Sequence, residues 1–175
     1  MNNKKFTIIG GDLRNIKLAN LIAGEGNKVN IYGFKNAGFE TGIKESEDLG
    51  LAIDESDVII GPLPCSNDNE TINSPFHPDR IYINEVFKTM NKNQLFIAGR
   101  IGEKISNLAQ IYNVYSIDIW DREEMAVLNA IPIALPKGAH RVLVLALATL
   151  FSKMLDSISA GNNLILKSIA KATAI

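Results

Sequence analysis

The strongest constraint on this chain is an alternation. Five short apolar runs, at residues 6–9, 29–32, 58–60, 95–98 and 114–117, recur with helical or loop material between them. Gly, Pro, Asn or Asp bounds each run, and the β-branched and aromatic content favours strands. Between the first two runs, "DLRNIKLANLIAGEG" opens on an N-cap residue, Asp12, and sets Leu13, Ile16, Leu18, Ala19, Leu21 and Ile22 near one helical face. Gly24 and Gly26 end it. "NEVFKTMNKN" and "IGEKISNLAQIYN" predict helices before and after the fourth run. Strict alternation of strand and helix requires parallel strands joined by right-handed crossovers. The expected fold is therefore α/β: a doubly wound, mainly parallel five-stranded sheet of the flavodoxin or Rossmann-like kind.

Such a sheet binds ligands beyond the carboxyl ends of its strands. Those ends are Gly10-Gly11-Asp12, Gly33-Phe34, Gly61-Pro62-Leu63-Pro64, Gly99-Arg100 and Asp118. Glycine lets a ligand approach backbone closely, although turns need it too. After Gly61, two prolines restrict the backbone and a polar stretch runs to about Arg80. This segment reads equally as a rigid binding edge or as a stiff surface loop. The first glycines raise a sharper question, because a dinucleotide fingerprint needs Gly-x-Gly-x-x-Gly. Gly10-Gly11-Asp12-Leu13-Arg14-Asn15 lacks the second and third glycines in register. Asp12 stands where a diphosphate would approach and would repel it, while as an N-cap it satisfies orphan N–H groups. Arg14, one turn on, could hold a carboxylate bidentately. The edge suits a small polar molecule, or it is an N-capped turn with a solvated arginine. It is not a cofactor loop.

Other chemistries find little support. Eighteen basic against 19 acidic residues give a net charge of -1 without long runs of either sign, so no nucleic-acid or membrane surface is expected. The most apolar stretch, residues 142–151, is too short to span a bilayer. Cys65 is the only cysteine, which rules out an internal disulfide and fits a quiet loop thiol in a reducing cytoplasm. His77 and His140 are far apart and without cysteine partners, so no metal site is expected. Asp118, Asp121, Glu123 and Glu124 read as an acid-rich helix start, favoured by the macrodipole, rather than an acidic site.

Five stretches, in this order and spacing, carry a family resemblance: "IIGGDLRN", "IYGF", "DVIIGPLP", "FIAGRI" and, most specifically, "DREEMAVLNAIP". Over residues 4–134 the chain resembles the N-terminal domain of the dipicolinate synthase A subunit. The resemblance implies an oxidoreductase of sporulating bacteria, working in the mother-cell cytoplasm with a flavoprotein-like B subunit. It would make dipicolinate, a small dicarboxylate, from a lysine-pathway dihydrodipicolinate-type precursor using NADP. It also implies a substrate-side domain like those of 2-hydroxyacid and alanine dehydrogenases, with a second Rossmann domain downstream for the cofactor. A stand-alone flavodoxin-like or receiver-like binding module is the alternative. A receiver would need an acidic pair after the first strand and a phospho-acceptor Asp after the third, where Gly61-Pro62 stands.

The expected division is residues 1–134 as the substrate-side domain and 135–175 as an atypical apolar tail. After Asn-Ala-Ile-Pro the family continues with Ala-Glu-Gly and later a glycine fingerprint, whereas this chain reads Pro136-Lys137-Gly138 and has no fingerprint. From Leu135 onward there is one acidic residue, Asp156. A one-base slip in reading frame would turn Ala-Glu-Gly into Pro-Lys-Gly; an internal deletion or a genuine short paralogue are the alternatives. The chain is then expected to be inactive alone and to bind no NADP itself. Its apolar tail should cover the sheet or drive homo-oligomerisation. For the substrate we expect anchors at Arg14 and Arg100 and at backbone N–H groups near Gly10, Gly11 and Gly99. Asp12, Gly61 and Pro62 complete the expected substrate-binding set, and Asn129 is a polar contact near the hinge. These placements follow from position in the fold and not from the resemblance, and no residue is assigned a catalytic role.

Overall fold

The computed structural model describes residues 4–35, 38–39 and 42–121. Its strands are β1 (Lys5–Ile9), β2 (Lys28–Tyr32), β3 (Ile43–Glu45), β4 (Val58–Ile60), β5 (Leu95–Ala98) and β6 (Tyr115–Asp118). Its helices are α1 (Leu13–Gly24), α2 (Leu49–Asp54), α3 (Ile83–Thr89) and α4 (Gly102–Ile111). The sheet has six strands in the order β3-β2-β1-β4-β5-β6, every neighbouring pair parallel. The chain winds outward from β1 to β3, returns to lay β4 against the other side of β1, and winds outward again. That reversal puts the topological switch point between β1 and β4.

Side-chain alternation along the central strands divides the core into two halves. Phe6 and Ile8 of β1, Val58 and Ile60 of β4 and Ile97 of β5 pack with Ile16, Ala19 and Ile22 of α1. On the opposite face Ile9, Ile59, Phe96 and Ala98 pack with Ile53, Val86, Phe87, Ile105 and Ala109 from α2, α3 and α4. Burial on both faces is why these strands read as continuous apolar runs. Buried polar groups fix the second face at its amino end. Thr7 Oγ1 donates to Ala52 O at 2.6 Å, and Gln94 Nε2 donates to Ile53 O and Ser56 O at 2.6 and 2.7 Å. Among the described residues no helix is long and apolar enough to cross a membrane.

Three expectations need correction. The sheet has a sixth strand, β3, and α2 follows it; neither was foreseen. β3 is a three-residue edge strand, Ile-Lys-Glu, with no buried residue, so it lacks an apolar run. Leu13, expected on the buried face of α1, is 71% exposed, and Asn15 is buried instead, tucked beneath Gly11. Asp118 is the last residue of β6 and not part of a helix start. Its carboxylate is drawn there by backbone N–H groups of two neighbouring turns. Glu123, Glu124, Asn129, His140 and the tail from 135 lie outside the described residues.

The N-cap reading of Asp12 holds. Its Oδ1 accepts from Arg14 N at 2.9 Å, and the Arg14 guanidinium grips both carboxylate oxygens while donating to Leu63 O at 2.6 Å. The turn after β1 is thereby tied to the loop after β4. Burial disfavours the ionised Asp12, but the side-chain and backbone hydrogen bonds from Arg14, with its charge, outweigh it and lower the pKa. A lowered folded-state pKa adds stability that is complete above the unfolded value and disappears as pH falls through the folded one. Asp12→Ala should therefore cost about 0.5–2 kcal/mol at neutral pH. In urea denaturation the gap to the parent chain should close in acid, below the ordinary carboxylate value of 3.8.

Two glycine substitutions test the packing, one at a strand end and one at a helix end. Gly10 has φ +61°, and a Cβ there would lie 2.8 Å from Ile72 Cγ2 and 3.0 Å from Ser74 Cβ. Left-handed strain plus overpacking predicts that Gly10→Ala destabilises by about 2–4 kcal/mol. A Cβ at Gly24, the last residue of α1, would meet nothing within 4 Å. Gly24→Ala should be neutral or stabilising by up to about 1 kcal/mol in the same measurement.

Candidate functional site

The carboxyl edge of the sheet is covered by the chain itself. After β4, residues 61–82 fold back across the strand ends instead of leaving as an open loop. Cys65 N donates to Gly99 O at 2.7 Å, Asn73 N to Cys65 O at 2.9 Å, and Gly11 N to Asn73 O at 2.8 Å. The return is closed by an antiparallel bridge between Thr71 and Tyr82 and by the bond from Ile72 N to Ile81 O at 2.8 Å. Cys65, Ile72 and Ile81 are buried by this arrangement. Asp68 organises the tip: it accepts from the Thr71 and Glu70 amides and from the Ser66 and Thr71 hydroxyls, and pairs with Arg80 at 2.6 Å. Those bonds, the Thr71 amide first, hold its carboxyl well below the usual carboxylate range.

The strand-end glycines consequently serve the protein's own packing. A Cβ at Gly99 would lie 2.3 Å from Leu63 Cδ1, one at Gly61 3.1 Å from Ala98 Cβ, and one at Gly11 2.3 Å from Asn15 Cγ. The expected N–H anchors already donate within the chain: Gly10 to Tyr32 O, Gly11 to Asn73 O and Gly99 to Pro62 O. Residues 72–74 lie on Gly10 and Gly11, filling the crevice at the β1/β4 switch point. The carboxylate that Arg14 holds bidentately is that of Asp12. For a dinucleotide diphosphate this crevice fits poorly: an acidic side chain stands at the turn and the glycine amides are engaged.

An open cleft of about 760 Å³ lies farther along the same edge, over β5 and β6. The folded-back loop contributes Pro64, Ser66, Asn67 and Asn69; the turn after β5 and the start of α4 contribute Arg100, Gly102, Glu103 and Ser106; Asp118, Trp120 and Asp121 complete it. Arg100 is exposed, and its guanidinium carbon lies 5.9 Å from the centroid of the Trp120 ring. It forms no ion pair with any described residue. A guanidinium beside an indole keeps its charge, and its parallel N–H donors suit a carboxylate. Three carboxylates share the cleft with it: Glu103, Asp121 and Asp118. Asp118 differs from the other two because it accepts Arg100 N, Ile101 N and Trp120 N at 2.9, 2.6 and 2.8 Å.

Of the expected site residues, Arg100 faces this cleft, with Gly99 directly behind it in sequence. Gly10, Gly11, Asp12, Arg14, Gly61 and Pro62 belong to the closed part of the edge, and Asn129 is outside the described residues. Sequence reasoning missed Trp120, Asn67 and Asn69. Asn69 carries no pattern, but Trp120 follows two positions after a strand-end aspartate, a place where a side chain meets the ligand edge of such a sheet. Cys65 is buried, and burial, then the nearby Asp118 charge, pushes its thiol up to about 12.

Comparison with known proteins matches the fold and the family. The family model for the N-terminal domain of the dipicolinate synthase A subunit matches residues 5–120. No curated protein matches the sequence. Among solved structures, the A subunit of dipicolinate synthase from Bacillus halodurans is similar with a TM-score of 0.67 and 20% identity, over 75% of this chain and 45% of that one. The A chain of dipicolinate synthase from Bacillus subtilis gives 0.66 and 18%, over 76% and 45%. The chain thus spans less than half the length of either structure. At these identities the structures speak for the Rossmann-like fold, and the family model, which covers most of the sequence, speaks for descent. The chain belongs to the family defined by the N-terminal domain of the dipicolinate synthase A subunit.

Proposed function

We propose that this chain is the substrate-side part of a dipicolinate synthase A subunit, and that its cleft over β5 and β6 takes one carboxylate of a small dicarboxylate. The observation that carries this reading is the Arg100 guanidinium: exposed, without an ion pair among the described residues, and lining the cleft beside the Trp120 ring. Family membership supports the reaction class, an NADP-dependent oxidation yielding dipicolinate during sporulation in the mother-cell cytoplasm, with the B subunit for partner. Arg100 faces Glu103 and Asp121 in the same cleft, so this part suits one anionic end of the substrate and not both. The second carboxylate would be met from elsewhere in the complete enzyme. So would NADP, because the crevice where a Rossmann-like unit holds a dinucleotide is filled here by residues 72–74. Alone, the chain would bind ligand without turning it over.

Calorimetric titration with pyridine-2,6-dicarboxylate tests this. The parent chain should bind, and Arg100→Ala should weaken binding about 10- to 100-fold, the worth of a charge-assisted hydrogen bond pair. Glu103→Gln should tighten it modestly, by no more than about 1 kcal/mol for an exposed charge. A parent chain indifferent to the dicarboxylate would overturn the substrate reading. Micromolar binding of NADP(H) would overturn the placement of the cofactor.

A further inference from the structure

Two of the three non-glycine residues with positive φ among the described residues, Asn69 at 61° and Arg100 at 54°, line the same cleft. Left-handed backbone is unfavourable for a side chain as large as arginine, and glycine would adopt it without strain. Strain of this kind persists only where surrounding contacts impose it, and it gathers at ligand sites. At Arg100 the imposing contact is identifiable. One oxygen of Asp118 accepts Arg100 N and Trp120 N, and the other accepts Ile101 N. A single carboxylate therefore ties the turn after β5 to the turn after β6, and with them both members of the guanidinium–indole pair.

Building on the proposed carboxylate site, we infer that Asp118 is its positioning residue. It holds Arg100 in the left-handed conformation against Trp120, so that the guanidinium edge meets the ligand in a fixed orientation. Asp118 acts through the backbone: both its oxygens are engaged by the N–H groups they accept. The two roles open to such a carboxylate have opposite signatures. If Asp118 acted only as a charge beside an anion site, removing that charge would strengthen binding, as at Glu103. If it positions Arg100, the isosteric Asp118→Asn must weaken binding, because an amide presents a single acceptor oxygen to this set of N–H donors.

Trp120 is the only tryptophan in the chain and is 46% exposed, so its fluorescence reports on the cleft directly. The full chain and its variants are titrated with pyridine-2,6-dicarboxylate, exciting at the red edge of indole absorption, and thermal unfolding is followed by circular dichroism. The parent should show saturable change in Trp120 emission. Asp118→Asn should keep the native circular dichroism but bind at least tenfold more weakly and show a shifted emission before ligand is added. Arg100→Gly should lose binding yet melt no lower than the parent, because the strain is relieved as the anchor is removed. Equal or tighter binding by folded Asp118→Asn would overturn the inference, as would a lower melting temperature for Arg100→Gly. Calorimetric binding without a Trp120 response would overturn it while leaving a dicarboxylate site elsewhere intact. No calorimetric binding by the parent would overturn both proposals.

Discussion

Everything at the functional edge depends on where the backbone amides at the strand ends send their hydrogen bonds. A parallel sheet leaves such groups at its carboxyl edge, and a buried amide must find an acceptor. In a dinucleotide-binding unit the first turn directs some of them to a diphosphate. In this chain the segment after β4 supplies the acceptors: Asn73 O for Gly11, Pro62 O for Gly99. Once those bonds are made, residues 62–74 cannot leave the edge without exposing several polar groups and the apolar Ile72 and Ile81 together. The open space along this edge lies instead over β5 and β6.

The alternation of apolar runs made the fold legible, because strands buried on both faces need uninterrupted apolar residues. β4 and β5 coincide with the runs read from the sequence, and α1 begins where Asp12 marks its cap. What escaped was what lacks such a run. β3 sits at the sheet edge with its residues half-buried or exposed, so pairing with β2 and not burial defines it. α2 is six residues long, too short for helical periodicity to show, and is held by the Asp48 cap and by Gln94 from beneath. The candidate cleft was half legible. Position on a parallel sheet pointed to its carboxyl edge and to Arg100. Which glycines face a ligand and which face Leu63 or Ile72 depends on the path of the 61–82 segment, and its tertiary hydrogen bonds leave no local pattern.

The cleft also bears on how a carboxylate could sit beside the proposed anion site without opposing it. Asp118, Glu103 and Asp121 carry the same formal charge. Both oxygens of Asp118 accept backbone N–H groups, which offset part of its charge and make it a brace between two turns, whereas Glu103 and Asp121 have no hydrogen bond of this kind among the described residues. A net charge drawn from the residues lining a cleft therefore misstates what a ligand experiences there. The orientation of each group decides its contribution.

Cys65 gives this architecture a built-in clock. Its thiol is wholly enclosed, bonded through its own backbone to Gly99 O and Asn73 N, and no second cysteine exists in the chain. A bulky thiol reagent reaches that sulfur only when the 61–82 segment lifts off the strand ends. The rate of modification in native buffer consequently measures the opening free energy of this one region, separately from global unfolding. The sequence thus carries, at a single natural position, a chemical gauge of how firmly the crevice between β1 and β4 is kept shut.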